Sequence, residues 1–274
     1  MRVSVIVPSR GCEYLKYLLL ALRNQTMKVH ELILVLKDCN IRKIEKMCES
    51  YGIPSVIIEQ DKGYFTHALN QGKKAARGDI LIFTDDDAIP LRRWLKKYVE
   101  MHRFYRKIAG ISSRDIYVDI CKRRLIRTPD DDPKVRLYRW FIRTWLERPH
   151  PAIPKKYQFG VYLARSYDIV HGPYLPYKMC YSLPFRGVNM SFKSEYIYDV
   201  WFPEHPLLKR APGNEQYFGL QLILKGYDII YTPNNPVLHI IRESLSRTRD
   251  GAGLKNEIEV MRALIRGLLG KAQQ

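Results

Sequence analysis

The sequence predicts an α/β fold, a mostly parallel central sheet flanked by helices, and three observations carry that expectation. Short apolar, β-prone runs alternate with stretches of helical period through the first hundred residues, the pattern of βαβ units. Polar and charged residues (Pro8-Ser9-Arg10, Asp38, and Asp85, Asp86 and Asp87) stand just past the ends of three of those runs, where α/β sheets bind ligands. A length of 274 residues and a hydrophobic fraction of 46% suit one large α/β domain or two small ones and argue against disorder.

Taken in order, Val3 to Val7 (VSVIV) reads as a strand and precedes an amphipathic stretch from Glu13 to Asn24. Leu32 to Leu36 precedes a second helix over Ile41 to Tyr51, and Ser55 to Glu59 precedes a third over Tyr64 to Arg77. The strand DILIF then runs into the three aspartates. From Arg114 to Pro184 the chain loses period: it is rich in Pro, Tyr and Arg, and RPHPAIPKK and HGPYLPYK read as irregular loops. Order returns at GVNMSFKSEYI. A helix from about Glu215 to Lys225 ends at Gly226, a C-terminal cap, and the strand YDIIYT follows. RESLSRTRDGAG reads as a mobile loop before an amphipathic C-terminal helix from about Leu254 to Leu269.

The net charge of +18 calls for a polyanionic partner or surface: nucleic acid, acidic lipid headgroups or a phosphorylated substrate. Two basic stretches, Leu91 to Lys107 and Cys121 to His150, interleave Arg and Lys with Trp, Tyr and Phe. Such a face can lie on a membrane with aromatics at headgroup level, can stack nucleic acid, or can turn its aromatics inward as a plain solvated surface. Cys12, Cys39, Cys48, Cys121 and Cys180 are odd in number and scattered, with no Cys-x-x-Cys, so they read as buried or incidental thiols with neither disulfide framework nor zinc site. No apolar run reaches the roughly 18 to 20 residues of a bilayer span. The N-terminus leaves no room for a signal peptide. A cytoplasmic protein is the expectation.

Three adjacent carboxylates repel one another unless a cation neutralises them, and a divalent metal is the commonest remedy. In sequence order, VSVIVPSRG, DKGYFTHALNQGKKAARGDILIFTDDDAIP, RGVNMSF and GNEQYFGLQLILKGYDIIYTPNNPVLH resemble the family 2 glycosyltransferases of GT-A fold, over about residues 1 to 240. That resemblance implies a Rossmann-like nucleotide-sugar-binding half (1–110), a mixed acceptor-side and catalytic half of the same domain (111–243), and a mobile loop with a C-terminal amphipathic helix (244–274). It also implies sugar transfer from a UDP-, GDP- or dTDP-linked donor. Negative charge develops on the departing pyrophosphate, and Mn²⁺ or Mg²⁺ held by hard carboxylate oxygens stabilises it.

Residue by residue, Asp85 and Asp87 match the family's Asp-x-Asp pair. The first faces ribose and sugar and the second reaches metal, with Asp86 a further donor-side candidate; sequence alone does not rank the three. His239, after its strand, matches a histidine that completes the metal shell. Pro8, Ser9 and Arg10 match the loop beside base and ribose, Asp38 falls where the family binds the base, and Asp61 stands where an Asn or Asp approaches the nucleoside. His67 and Lys74 read as a solvated helix face, with phosphate contact the alternative. In NEQYFGLQL, Asn214 takes the place of the family's Glu and Glu215 that of its Asp, so Glu215 is the candidate base, while the pattern's Arg has become Gln221. Arg186 and Asn189 in RGVNMSF, with Asn214, are the acceptor-side candidates.

The resulting expectation is an inverting glycosyltransferase acting on a lipid-linked or polysaccharide glycan, in peripheral contact with an anionic membrane through the basic aromatic stretches and the C-terminal helix. The alternative is a sugar-phosphate nucleotidyltransferase, which would normally show a Gly-rich phosphate loop after the first strand, where PSRGCEY offers a single Gly. A nucleic-acid-binding protein would have to tolerate an acidic triad against phosphate, so no nucleic acid is expected.

Overall fold

A computed structural model describes residues 1–241 and 251–272. Strands β1 (Val3–Arg10), β2 (Glu31–Lys37), β3 (Ser55–Glu59) and β4 (Ile80–Phe83) are parallel, joined through α1 (Leu15–Arg23), α2 (Ile41–Ser50) and α3 (Phe65–Ala75). There follow β5 (Ala88–Pro90), α4 (Trp94–Phe104), β6 (Ile108–Asp119), β7 (Arg124–Ile126), α5 (Pro133–Tyr138), α6 (Thr144–Leu146), β8 (Val161–Leu163), β9 (Ile169–His171), β10 (Cys180–Tyr181), β11 (Met190–Lys193), α7 (Ser194–Ile197), α8 (Asn214–Leu224), β12 (Asp228–Ile240) and α9 (Gly251–Ala272). The main sheet runs β10-β12-β6-β11-β4-β1-β2-β3, with β5 on β12 and β7 on β6. Because β11 is antiparallel to both β4 and β6, and β12 is parallel to β6, the C-terminal ends of β1, β2, β4, β6 and β12 all reach one edge. That edge is where distant chemistry can meet.

Each face of the sheet carries its own core. One gathers α1, α2 and α4 over Val5, Leu34, Ile82 and Ile111; the other gathers α3, α8 and α9 over Ile6, Val35, Phe83 and Phe192. Two glycines of the central motif serve this packing. A Cβ on Gly72 would lie 2.4 Å from Ile6 Cγ2, so α3 can rest on β1 only with Gly there, and a Cβ on Gly78 would lie 2.6 Å from the Ser4 nitrogen. Asn70 of the same motif clamps the chain before α8: its amide donates to the Phe202 carbonyl (3.0 Å) and Glu204 (2.7 Å) and accepts from Phe202 N–H (2.9 Å).

Several expectations change. The middle of the chain is less irregular than its composition suggests, since β6 extends to Asp119 and residues 133–146 follow a helical path. Strand β12 does not stop at Thr232: its pairing with β6 slips between Thr232 and Val237, a bulge that accommodates Pro233 and Pro236, and His239 therefore lies within the strand. The first basic aromatic stretch turns mostly inward, as α4 buries Trp94, Tyr98 and His102 while Phe104 at its end stays exposed. The C-terminal helix is likewise committed, with Met261, Ile265 and Leu269 in the core and Glu257 accepting from the backbone N–H groups of Arg210 (2.8 Å) and Ala211 (2.9 Å). Its apolar stripe is thus not available to a membrane. The expected mobile loop falls, from 242 to 250, outside the described residues.

The reading of all five cysteines as thiols is also corrected. Cys12 and Cys39 form a disulfide with Cα atoms 5.7 Å apart, while Cys48, Cys121 and Cys180 are free. Parallel pairing of Arg10 with Lys37 puts the two turns side by side, and a separation of 27 residues hides this from any local motif.

Candidate active site

The loops after β1, β2 and β4 meet at the C-terminal edge, and hydrogen bonds fix how. Ser9 Oγ donates to Asp86 Oδ2 at 2.5 Å, and Arg10 Nε donates to Asp38 Oδ2 at 2.8 Å. Pro8 pairs with Val35 at the same level of the sheet, and Asp61 lies exposed in the loop after β3, whose path Gln60 fixes by donating to the carbonyls of Lys62 (2.9 Å) and Tyr64 (3.0 Å). Ser9 turns Asp86 inward, 1% exposed. Asp85, Asp87 and His239 stand together with one ligand atom each, all within 4.8 Å of one another. Two carboxylates and an imidazole are a donor set that fits Mn²⁺ or Mg²⁺.

His239 reaches that group because β12 runs beside β6. Its Nδ1 faces Asp115 Oδ2 at 2.9 Å and its Nε2 faces Asp87 Oδ1 at 3.4 Å. Burial alone would lower the imidazolium pKa; hydrogen bonds to Asp115 and Asp87 overcome it and hold the pKa at about 10. Nδ1 is bound to Asp115, so Nε2 is the nitrogen directed at Asp87, the arrangement by which a carboxylate orients a metal-binding histidine. A cation taking Nε2 displaces the proton there.

A continuous ionic chain extends from this point. Arg186 donates to Asp115 (2.8 Å) and Tyr117 OH (3.2 Å) through one nitrogen and to Asp130 (2.5 Å) through the other. Asp130 also binds Arg139, and His171 Nδ1 lies 3.1 Å away. Burial would raise the Asp130 carboxyl, but His171, Arg186 and Arg139 bring it far below the usual carboxylate range. Burial lowers the His171 imidazolium, Asp130 works against that lowering, and Arg139 and Arg186 add to it. Glu215, second residue of α8, lies beside the Arg186-Gly187 turn. Burial pushes its carboxyl up, and its own amide, Gln216, the Gly187 amide and Arg186 draw it only partly back.

The family model for glycosyl transferase family 2 matches residues 4–161, more than half of the chain. The chain belongs to glycosyl transferase family 2. No curated protein sequence matches it. Solved structures share the fold. The Pyrobaculum calidifontis mannosyltransferase PcManGT, in complex with GDP-Man and Mn²⁺, is 16% identical with a TM-score of 0.62, over 97% of this chain and 64% of that one. Staphylococcus aureus TarS 1-349 with UDP-GlcNAc is 16% identical with a TM-score of 0.60, over 96% and 66%. GalNAc-T7 with UDP, GalNAc and Mn²⁺ is 15% identical with a TM-score of 0.65, over 88% and 44%. The present chain thus spans less than two thirds of the length of each, and the common architecture is the GT-A fold.

Within this family 2 domain, the structure redistributes the acceptor-side candidates. Asn189 is fully buried: its oxygen accepts from Trp94 Nε1 (2.9 Å) and Tyr98 OH (2.7 Å), and its nitrogen donates to the carbonyls of Arg114 (3.0 Å) and Asn235 (2.9 Å). All its hydrogen-bonding capacity is used, so it locks α4, β6 and β12 together and does not reach a sugar. Arg186 is bound to Asp115 and Asp130. Asn214 caps the Ala211 carbonyl (2.9 Å), while its buried Oδ1 has no hydrogen-bond partner among the described residues. Asp115 and Asp130 were missed by sequence reasoning. The weak signal for Asp115 is a carboxylate in the apolar run of β6; Asp130 gives none, since two of its three partners, His171 and Arg186, come from distant segments.

Proposed function

We propose that this family 2 glycosyltransferase is an inverting enzyme, moving a sugar from a nucleotide diphosphate donor to an acceptor hydroxyl on a lipid-linked or polysaccharide glycan. The observation that carries this reading is the unbroken run of contacts from Asp87 through His239, Asp115 and Arg186 to the flank of Glu215. It links a metal-type donor set with a carboxylate of raised pKa at one edge of the sheet. Neighbours of the same fold were solved with UDP-GlcNAc, with GDP-Man and Mn²⁺, and with UDP, GalNAc and Mn²⁺, which supports a nucleotide-sugar donor and a divalent cation.

In this reading Asp85, Asp87 and His239 hold Mn²⁺ or Mg²⁺, whose chemistry is Lewis-acid stabilisation of the departing pyrophosphate. Pro8, Ser9, Arg10, Asp38 and Asp61 line the base and ribose side, and Asp86 is fixed by Ser9 beneath them. Glu215 takes the proton of the attacking hydroxyl, and its raised pKa brings it nearer the operating pH, as a general base requires. A single displacement with one base inverts the anomeric carbon. The domain division at about residues 110 and 243 follows the same reading, with donor and acceptor halves sharing one sheet.

We place the protein at a membrane surface. No helix among the described residues is long and apolar enough to cross a bilayer. A cytoplasmic site, at the inner face of the cell membrane, requires Cys12 and Cys39 to be thiols there, because reducing compartments rarely keep such bonds.

The deciding experiment is calorimetric binding of UDP, GDP and dTDP with and without Mn²⁺, for the wild type and Asp87→Ala. Metal-dependent binding of one nucleotide, lost in the variant, is the expected result; no binding of any of them removes the reading. Product that retains the donor's anomeric configuration, read by NMR, would refute inversion.

A further inference from the structure

Residues 133–146 are built inside out. Asp132 caps the start by accepting from the Lys134 N–H (2.8 Å), and a helical path runs through α5, a wider turn over Arg139–Arg143 and α6. The side chain this path buries is charged: Arg139 is 4% exposed, held by Asp130. The side chains it presents outward are apolar, with Phe141 75% and Trp145 70% exposed and Leu137, Trp140, Ile142 and Leu146 also open. A helix in water does the reverse. A contiguous apolar patch of this kind marks a surface made for another medium or partner.

The charge around it selects the occupant. Between Lys122 and Arg148 the sequence has nine Lys and Arg against four Asp and Glu. Lys122, Arg123, Arg124, Arg127, Lys134 and Arg148 are all exposed. Bulky apolar side chains, tryptophans among them, in a stretch rich in exposed cations fit the headgroup boundary of an anionic bilayer. The attachment to the fold gives the orientation. Arg139 and Arg186 share Asp130, so the patch is tied by a buried ion pair to the turn that flanks Glu215.

We propose that residues 133–146 form an interfacial helix that seats the protein on an anionic phospholipid surface with the Glu215 side of the active site toward the lipid. The identity of the acceptor, a hydroxyl presented from that surface, rests on the glycosyltransferase reading; the seating does not. The C-terminal helix does not share the role, because its apolar face is packed, and the other basic aromatic stretch buries Trp94 and Tyr98 and leaves only Leu91 and Phe104 open.

The test is flotation of the full chain with vesicles of phosphatidylcholine alone or with phosphatidylglycerol, at low and high salt. The wild type floats with the anionic vesicles, and salt reverses it. Phe141→Ser with Trp145→Ser lowers partitioning at least about tenfold. Arg123→Gln, Arg124→Gln and Arg127→Gln together lower it on the order of a hundredfold, about fivefold per cation. Circular dichroism melts check that both variants fold, and quenching of Trp140 and Trp145 by brominated lipid reports insertion directly. Indifference of the wild type to anionic vesicles overturns the proposal. So does a self-associated wild type that the Phe141/Trp145 variant renders monomeric, since the patch would then be covered by a second copy. Nucleotide calorimetry separates the two readings. Nucleotide binding without flotation refutes the seating alone, and flotation without nucleotide binding supports the seating while refuting the donor site.

Discussion

Replacing Asp115 by Asn should damage the site without touching any residue expected to meet donor or acceptor. The Asp115 side chain is wholly buried and accepts from His239 Nδ1 at 2.9 Å and from Arg186 at 2.8 Å. Asparagine fills the same volume but removes the charge and turns an NH₂ group toward one of two cationic partners. Breaking a buried ion pair costs about 3–5 kcal/mol. Arg186 retains Asp130 at 2.5 Å, so the low end, about 3 kcal/mol, is expected. At roughly 2–4 °C per kcal/mol for a chain this long, Tm falls by about 6–12 °C. Loss of the group that orients a metal-binding histidine weakens the cation about 10–100-fold. Calorimetry of Mn²⁺ with nucleotide, below the lowered Tm, reads that second effect separately from the first. His239→Ala and the double variant complete a cycle: if Asp115 works through His239, the double variant binds no worse than His239→Ala. Wild-type Mn²⁺ affinity in Asp115→Asn, or full additivity in the cycle, would refute the positioning role and leave Asp115 as a fold residue only.

Glu215→Gln should lower kcat by about 10²–10⁴ while Mn²⁺-dependent nucleotide binding persists. Since burial raises Glu215 above its ordinary 4.5, the acid limb of the wild-type kcat/KM profile should lie above that value, and a limb at or below it counts against Glu215 as base. Asp115, Asp130 and Asp131 are all held below their ordinary 3.8, so their stabilisation is complete above that pH and drains away as pH falls toward the folded-state values. Urea titrations should therefore give an unfolding free energy that drops below about pH 4, and Asp130→Asn should blunt the drop. Replacing Cys12 and Cys39 by Ser should cost about 3.5 kcal/mol for a loop closed over 27 residues, read by urea unfolding with and without reductant. Equal stability in both conditions would mean that the pair is not bonded in solution.

What the sequence makes legible is what is local. The βαβ units up to Phe83 are set by period alone, and Asp85 and Asp87 are visible because a carboxylate run after an apolar strand is rare and costly. His239 required the whole pattern, and even then the strand before it was ended at Thr232, where the sheet in fact continues and absorbs Pro233 and Pro236 in a bulge. Asp115 and Asp130 are illegible for another reason. Asp115 is stabilised by Arg186 and His239 and Asp130 by Arg139, Arg186 and His171, and in isolation each reads as an ordinary polar residue. The disulfide is hidden in the same way, since adjacency of β1 and β2 creates it. Conversely Asn70, Gly72 and Gly78, conspicuous in the central motif, pack the fold and take no part in the ionic chain.

The cluster of three aspartates then has a physical account. Asp86 is withdrawn from the group by Ser9, so it fastens the end of β1 to the end of β4. Asp85 and Asp87 face His239, which carries one positive charge at neutral pH and offsets half of theirs. With a divalent cation in place of that proton, the two carboxylates and the cation are balanced by themselves, and His239 serves as a neutral ligand whose far nitrogen is still fixed by Asp115. Asp115 in turn needs Arg186, and Arg186 needs Asp130. Each charge in the series is thus buried because its neighbour permits it, which is why a metal-type site, a raised Glu215 and a buried Arg139 occur in a single connected stretch of this fold.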